Sequence, residues 1–280
     1  MSTDFQSARV ALGARLRELR TEAGLDGKGL ATQLGWQRSK VSRLETGKQT
    51  ATRADLEAWA EAVGRPDVTA ELAGRLAGMT AHVRSWGRQL FSGHRARQEV
   101  GAVETEQTRR LRALEMVRIP GLLQTADYAR TLFSASAEFR QTPRDMDEAV
   151  RVRMRRQQAL YEPGKRHEFL IWEAALHALP CPPEVMAAQL DRLVSAIGLD
   201  TVQLGIVPFT ARLRRTPSHG FWIYDQRLVI VETMGSELWL TDDASVALYE
   251  KAWEWTVEAA VTGAHAHRLV ARARAALSLV

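Results

Sequence analysis

The segment 10–63 constrains the fold of this 280-residue chain most strongly, because it divides into four short helical patterns separated by glycine-containing turns. In the first pattern, Leu12, Leu16 and Leu19 are spaced so that they share one face of a helix. Gly24 follows this pattern, and glycine is the residue that most often ends a helix. The segment therefore predicts a compact all-α bundle near the N-terminus.

The next two helical patterns are short and are joined by a tight turn. Asp26 is placed to cap the second helix, and Gly35 is placed to end it. A third helix is predicted over 37–45, and Thr52 with Asp55 three residues later forms the capping-box pattern that begins a fourth. Two short helices joined in this way are typical of a helix-turn-helix, whose second helix lies in the DNA major groove.

The third helix is predicted to have one apolar and one polar face. Val41 and Leu44 pack inward, and at 3.6 residues per turn four other side chains point outward together. Two of the four are serines and two are arginines, which can donate two hydrogen bonds to guanine. Lys40 and Lys48 are predicted to contact phosphates, which position a protein on DNA without reading its sequence. The predicted base-reading residues are Arg38, Ser39, Ser42 and Arg43.

Residues 9–66 resemble the Xre or lambda-repressor-like helix-turn-helix family, through the stretch LRELRTEAGLDGKGLATQLGWQRSKVSRLETGK. The resemblance implies a buried pair between an arginine late in the first helix and a glutamate ending the third, here Arg20 and Glu45. Gly27 departs from the glutamine or serine usual in the family, so it is not included in the predicted site. The phosphate contacts that the resemblance implies match Asp26, Thr46 and Lys48.

The hydrophobic period changes in the second part of the chain. Helical patterns continue to about residue 97 and recur over 125–133, whereas 107–117 is expected to end in a strand or a turn. The sequence TPRD at 142–145 predicts the start of a further helix, which runs to about residue 161. Turns at 225–226 and 234–236 favour an antiparallel meander. Segments rich in β-branched and aromatic residues predict strands over 168–172, 202–207, 221–224, 228–232 and 237–240. The predicted fold class is α+β, with an N-terminal all-α helix-turn-helix bundle and a C-terminal domain on a small, mostly antiparallel sheet.

These patterns predict a helix-turn-helix domain over 8–67, a helical linker over 68–100 and an α+β domain over 101–280. The phrases EMVRIPGLLQTADYARTLF, EFLIWEAALH and VETMGSELWLTDD resemble the large C-terminal domain of unknown function that is fused to such modules in actinobacterial regulators. The high arginine and alanine content fits such a source. The resemblance implies a transcription regulator, often encoded beside a small partner protein that the large domain is expected to bind.

Composition excludes several other classes of protein. The chain has no run of about 18 apolar residues, so no transmembrane helix or membrane partner is predicted. Its first residues lack the continuous apolar core of a signal peptide. Cys181 is the only cysteine, which excludes an internal disulfide and a zinc site of several cysteines. We expect a cytoplasmic, nucleoid-associated protein, and the net charge of +5 is a weak indication of nucleic-acid binding.

The sequence contains no phosphate-binding loop, HExxH or GxSxG motif, so an enzyme, a cofactor and a metal are not expected. The C-terminal domain is predicted either to dimerise and bind a small partner protein, or to hold a small-molecule effector. Trp172, Trp222 and Trp239 fall in predicted strands, where they either line a pocket or form the core.

The sequence as a whole predicts a transcription regulator that binds double-stranded DNA. A homodimer is expected, because operators for this module are usually two half-sites about one DNA turn apart. The alternative is a protein-interaction chain, the antitoxin-like half of a two-gene pair whose main role is to bind a small partner protein.

Overall fold

The computed structural model describes residues 3–81 and 83–277, and the chain forms two compact units, Met1–Val83 and Arg84–Val280. The first unit is a bundle of helices. They are α1 (Thr3–Glu22), α2 (Gly27–Leu34), α3 (Arg38–Glu45), α4 (Arg53–Ala62) and α5 (Thr69–Ala81). Thr52 and Asp55 form the predicted capping box at the start of α4, so this signal is confirmed.

Apolar side chains at helical spacing form the core of the first unit. Leu16 and Leu19 of α1, Leu30 of α2 and Trp59 of α4 are almost completely buried. Leu72 of α5 joins the same cluster, so α5 packs as part of this bundle. Each such side chain stabilises the fold by ~1.5–3 kcal/mol relative to its exposed state.

The second unit contains helices and strands that alternate along the chain. Its helices are α6 (Trp86–Gln89), α7 (His94–Gln107), α8 (Ala126–Arg140), α9 (Met146–Arg156), α10 (Ala174–His177), α11 (Pro183–Ala196), α12 (Asp243–Val257) and α13 (Gly263–Ala276). The strands are β1 (Val83–Ser85), β2 (Arg110–Glu115), β3 (Arg166–Trp172), β4 (Val202–Val207), β5 (Phe221–Tyr224), β6 (Leu228–Glu232), β7 (Ser236–Leu240) and β8 (Val261–Thr262). None of the described helices is both long and apolar enough to cross a membrane.

The described strands form one sheet, in the order β1-β7-β6-β5-β2-β3-β4-β8. Strands β2, β3 and β4 are parallel neighbours, with Leu111 opposite His167 and His167 opposite Val202. The pairs β2–β5, β5–β6, β6–β7 and β4–β8 are antiparallel. The predicted α+β class with a mostly antiparallel sheet is confirmed, as is the meander of β5, β6 and β7.

Helices cover both faces of this sheet. Successive side chains of a strand point to opposite faces, so one strand contributes to the apolar clusters on both sides. Along β2, Leu111 and Ala113 join one apolar cluster, whereas Leu114 joins another. Leu190 of α11 belongs to the first cluster, and Trp253 of α12 belongs to the second. Covered faces explain why the strands are apolar on both sides.

Two stretches differ from the predicted helical patterns. Within 68–100 the helix is interrupted by β1 at the edge of the sheet and by Gly93, whose φ of 90° lies outside the helical region. The helix predicted to have Thr142 as its cap and Pro143 as its first residue starts three residues later, at Met146, as α9. The carboxylate of Asp145 instead accepts hydrogen bonds from the N–H groups of His94 and Arg95, at 2.8 and 2.7 Å, and so caps α7.

Candidate nucleic-acid interface

The turn between α2 and α3 is fixed by local hydrogen bonds at both ends of α2. The N–H of Gly29 donates to Oδ1 of Asp26 at 2.6 Å, which caps the first turn. Gly35 has a φ of 64°, which glycine adopts without strain. The N–H of Trp36 donates to the carbonyl of Ala31 at 2.8 Å. These contacts set the direction in which α3 leaves α2.

The structure brings together Arg20 and Glu45, the two members of the predicted structural pair. Arg20 Nε donates to Glu45 Oε1 at 2.5 Å, and Arg20 Nη2 donates to Glu45 Oε2 at 3.1 Å. The exposed fractions of the two side chains are 12% and 5%, so the pair is shielded from water. The Glu45 carboxylate raises the pKa of Arg20. Arg20 Nη1 also donates to the carbonyl of Leu25 at 2.7 Å, which ties the end of α1 to the start of the motif.

The close approach of α1 to the end of α3 requires glycine at position 13. A Cβ atom at Gly13 would lie 2.5 Å from the carbonyl oxygens of both Leu44 and Glu45. Sequence reasoning missed this residue, because glycine inside a helical pattern shows no partner until the neighbouring helix is in place. Gly13 thus permits the packing that brings Arg20 to Glu45.

Helix α3 has the polar face that its sequence predicts. Val41 and Leu44 are buried, whereas the predicted base-reading side chains are exposed. These exposed side chains are Arg38, Ser39, Ser42 and Arg43. Arg43 Nε donates to Gln49 Oε1 at 3.0 Å, which steadies the guanidinium at the end of the helix. The base-reading role itself stays a prediction.

Lys40 lies in an ion pair within the bundle. Its Nζ is 2.6 Å from Asp55 Oδ1 and 3.7 Å from the ring centroid of Trp36. Burial acts to raise the pKa of the Asp55 carboxyl, but hydrogen bonds from Lys40 and from Thr52 outweigh it and hold the pKa below its usual value. The Lys40 charge is therefore partly neutralised by the chain itself, whereas its predicted phosphate contact stays a prediction.

The other three predicted phosphate residues lie at the ends of α2 and α3. Asp26 is exposed, and its carboxylate caps α2. Thr46 is exposed and donates its hydroxyl to the carbonyl of Ser42 at 2.7 Å. Lys48 is exposed and forms no ion pair with the residues that the structure describes, so its ammonium is available to a partner.

Two glutamines at the edge of α3 were missed by the sequence analysis. Gln37 is the exposed N-cap residue of α3, and Gln49 contacts Arg43. A glutamine amide can donate to and accept from adenine, so both fit a DNA-facing edge. The signal was the pair of amides that flank the polar face, Gln37 at the predicted start of the helix and Gln49 in the turn after it.

Comparison with known proteins gives two family matches. Residues 98–272, more than half of the chain, match the family described as Domain of unknown function (DUF5753). Residues 11–82 match the family described as Helix-turn-helix domain. The comparison with curated proteins gave no match.

Among solved structures, the chain is similar to TrmBL2, described as an archaeal chromatin protein that shows a novel mode of DNA binding. The identity is 12% and the TM-score is 0.34, over 85% of this chain and 88% of that chain. A TM-score this low supports no argument about fold or function.

Proposed function

We propose that this chain, which belongs to the DUF5753 family, regulates transcription by binding specific sites in double-stranded DNA through α3. The observation that carries the proposal is the exposed row of two arginines and two serines on α3. The position of this helix is fixed by the turn at Gly35 and by the ion pair of Arg20 with Glu45. A rigid helix with an exposed polar row is what base recognition in the major groove requires.

The two arginines of the row supply most of the proposed sequence discrimination. The guanidinium groups of Arg38 and Arg43 each donate two hydrogen bonds to the O6 and N7 atoms of guanine, for ~1–3 kcal/mol of discrimination per base pair. Ser39 and Ser42 lie between them and contact the adjoining base edges. The hydrogen bond to Gln49 restricts the Arg43 side chain, which lowers the entropy that it loses on binding.

The proposed phosphate contacts flank this row. Lys48 and Thr46 follow α3 directly and bind the backbone beside the base contacts. Asp26 caps the first turn of α2 and in this proposal orients that helix end beside the DNA backbone. Lys40 contributes positive charge while it remains paired with Asp55.

We infer a homodimer of the Xre or lambda-repressor type, in a regulator of actinobacterial origin. Dimers of this module place two recognition helices on half-sites ~34–36 Å apart. In this proposal the second unit holds two copies together and responds to a small partner protein or a small ligand. The proposal describes a binding protein and includes no catalytic step.

The test is selection of bound fragments from genomic DNA by the full-length chain, followed by sequencing of the recovered fragments. We expect enrichment of a shared motif with two-fold symmetry, since a dimer presents the same helix twice. The double variant Arg38→Ala, Arg43→Ala is expected to lose this enrichment. The matched control is Arg75→Ala, which removes an exposed arginine that pairs with Glu71 on α5.

Lys48→Ala separates the proposed phosphate contacts, which position the protein, from the proposed base contacts, which read the sequence. It is expected to weaken binding to all sequences similarly and to lower the slope of log K against log salt by about one. Absence of any enriched motif for the unmodified chain at low and high salt would contradict the proposal. Capture of a small protein without DNA binding would instead favour the antitoxin-like alternative.

A further inference from the structure

The second unit contains a cavity of about 160 Å³ between α7, α8, α9 and the sheet. Its lining is rich in positive charge and in aromatic rings. The arginines that line it are Arg97, Arg118, Arg140, Arg153 and Arg156. The only carboxylates of the described lining are Glu115 and Glu232, so arginines outnumber carboxylates at the wall.

Two of these arginines are neutralised by the chain itself. Arg97 donates to Glu237 Oε1 from Nε at 2.8 Å and from Nη2 at 2.5 Å, and Glu237 is completely buried. Arg118 Nη2 lies 3.3 Å from Glu232 Oε2. Both pairs place the counter-charge within hydrogen-bond reach, so neither guanidinium needs an outside partner.

Arg153 and Arg156 of α9 differ, because neither forms an ion pair with a described carboxylate. Arg153 donates from Nε to Gln98 Oε1 at 3.0 Å and from Nη1 to Gln124 Oε1 at 2.5 Å, and both acceptors are neutral amides. Burial, and then the nearby charge of Arg156, lower the pKa of Arg153 to about 9. A guanidinium in such a place is held as a cation against an unfavourable environment.

Arg156 has fewer hydrogen-bond partners than Arg153 among the described residues. Its Nε is buried, and no residue that the structure describes accepts a hydrogen bond from it. Its Cζ lies 5.7 Å from the ring centroid of Trp222. Gly101 on α7 leaves room for this side chain, since a Cβ atom there would lie 2.6 Å from Arg156 Nη1. Shielding a charge from water without a partner is costly, and an external counter-charge would offset this cost.

We propose that this cavity binds a small organic molecule with a doubly charged oxyanion group, which Arg153 and Arg156 hold together. The planar guanidinium fork matches the oxygens of a phosphate or carboxylate group, and two adjacent forks match a dianion. Trp222 and Phe133 provide apolar surface for the remainder of the ligand. The cavity is smaller than the ~300–1,000 Å³ of pockets for drug-sized molecules, so the ligand is small.

The test is binding of phenyl phosphate and of phthalate to the full-length chain, measured by titration calorimetry and by the thermal unfolding midpoint. These probes carry a phosphate dianion and a dicarboxylate, and benzyl alcohol is the neutral comparison. We expect one or both dianions to bind and to raise the midpoint in a concentration-dependent way, because a ligand of the folded state stabilises it. Benzyl alcohol is expected to have no such effect.

The variant Arg156→Gln is expected to weaken dianion binding at least tenfold, and its unfolding midpoint without ligand is expected to equal or exceed that of the unmodified chain. This combination distinguishes a binding residue from a structural one, whose loss would lower the midpoint. Arg156→Lys keeps the charge but loses the fork, and we expect intermediate affinity. The control is Arg155→Gln, the exposed neighbour on α9, which should bind as the unmodified chain does.

Failure of both dianions to bind at millimolar concentration would overturn the proposal. Equal loss of binding in Arg155→Gln and Arg156→Gln would also overturn it, since general surface charge would then explain the affinity. The measurement uses no DNA, so its outcome is independent of the proposed DNA binding. Only an effect of the ligand on DNA affinity would rest on that function.

Discussion

A partly buried arginine of the first unit has a carboxylate partner, whereas two of the partly buried arginines of the second unit have none among the described residues. In the first unit, Arg20 is matched by the buried carboxylate of Glu45, which accepts from two of its nitrogens. In the second unit, Arg153 meets only neutral amides, and Arg156 meets no acceptor at Nε among the described residues. Burial of an arginine therefore does not by itself indicate a ligand site. The deciding feature is whether the chain supplies the counter-charge.

The exposed arginines of α3 differ both from the paired Arg20 and from the arginines of α9 that lack a carboxylate partner. Arg43 is held by the amide of Gln49 and faces solvent, so its charge is available without a cost of burial. A surface guanidinium is free to bind phosphate or guanine when DNA arrives. Arginine thus has three roles in this chain. It forms a structural ion pair in Arg20, a proposed DNA contact on α3 and a proposed ligand contact on α9.

Glu45→Gln should have the largest effect, because it removes the carboxylate that pairs with Arg20. It leaves the shielded charge of Arg20 without its counter-charge, and we expect the free energy of unfolding to fall by ~3 kcal/mol. Denaturant unfolding followed by tryptophan fluorescence measures this, since Trp36 and Trp59 lie in the same unit. Glu57→Gln is the control, because its pair with Arg53 is exposed and should change stability by less than ~0.5 kcal/mol. Similar losses for the two variants would contradict the comparison.

Gly13→Ala tests the packing that makes the pair possible. The added Cβ would meet two backbone oxygens of α3 at 2.5 Å, and we expect a loss of ~2 kcal/mol in the free energy of unfolding. Gly74→Ala on α5 is the matched control, because its Cβ would meet nothing within 4 Å. The control should gain up to ~1 kcal/mol from better helix propensity. A stabilising effect at both positions would show that α1 does not need glycine at its contact with α3.

Arg43→Ala tests whether an exposed arginine of α3 reads a base pair. We expect it to cost ~1–3 kcal/mol in binding to the selected operator and to relax preference at one base-pair position. The unfolding midpoint should not change, because the side chain is exposed. Fluorescence anisotropy with the operator and with single-base variants of it measures both quantities. Unchanged affinity and preference would remove Arg43 from the proposed base-reading set.

Glu115→Gln tests the charge balance of the cavity, and its effect on stability should depend on pH. Burial and then the nearby charge of Glu232 raise the pKa of the Glu115 carboxyl from 4.5 to about 7. The folded state therefore binds more protons than the unfolded state between these values, so stability falls as pH rises from about 4.5 to about 7. The variant should remove this fall, with a gain of up to ~3 kcal/mol at pH 8 and little change near pH 4.

Urea unfolding of both chains at several pH values measures the Glu115 effect. The hydrogen bond from Trp222 Nε1 to Glu115 Oε1, at 2.9 Å, can be kept by the glutamine carbonyl oxygen. A parallel pH dependence of the two chains would show that Glu115 titrates as an ordinary surface carboxyl.

Local signals made the first unit predictable. The cap at Asp26, the left-handed turn at Gly35 and the capping box of Thr52 with Asp55 each depend on residues within a few positions of one another. Such interactions are visible in a sequence without knowledge of the fold. For the same reason the bounds of β5, at 221–224, and of β6, at 228–232, were predicted as the structure has them.

Contacts between distant residues account for what was missed. Asp145 was assigned to the start of its own helix, but its carboxylate caps α7, about 50 positions away. Lys40 was assigned to phosphate alone, yet it pairs with Asp55 across the bundle. The question left open for the tryptophans is resolved for Trp222, which belongs to the apolar core and also lines the cavity.

The sequence by itself determined the helix-turn-helix, the outward row on α3 and the α+β class, because periodicity, caps and glycine turns act over short distances along the chain. Apart from the pair of Arg20 with Glu45, which the family resemblance implied, only the tertiary structure decided which arginines are neutralised. Arg20 and Glu45 are 25 positions apart, and Arg97 and Glu237 are 140 apart, yet both pairs form. Arg153 and Arg156 also lie on a helix, α9, but neither forms an ion pair with a carboxylate among the described residues. The energy of a buried charge depends on what surrounds it in space, and that is fixed by packing rather than by neighbours in sequence.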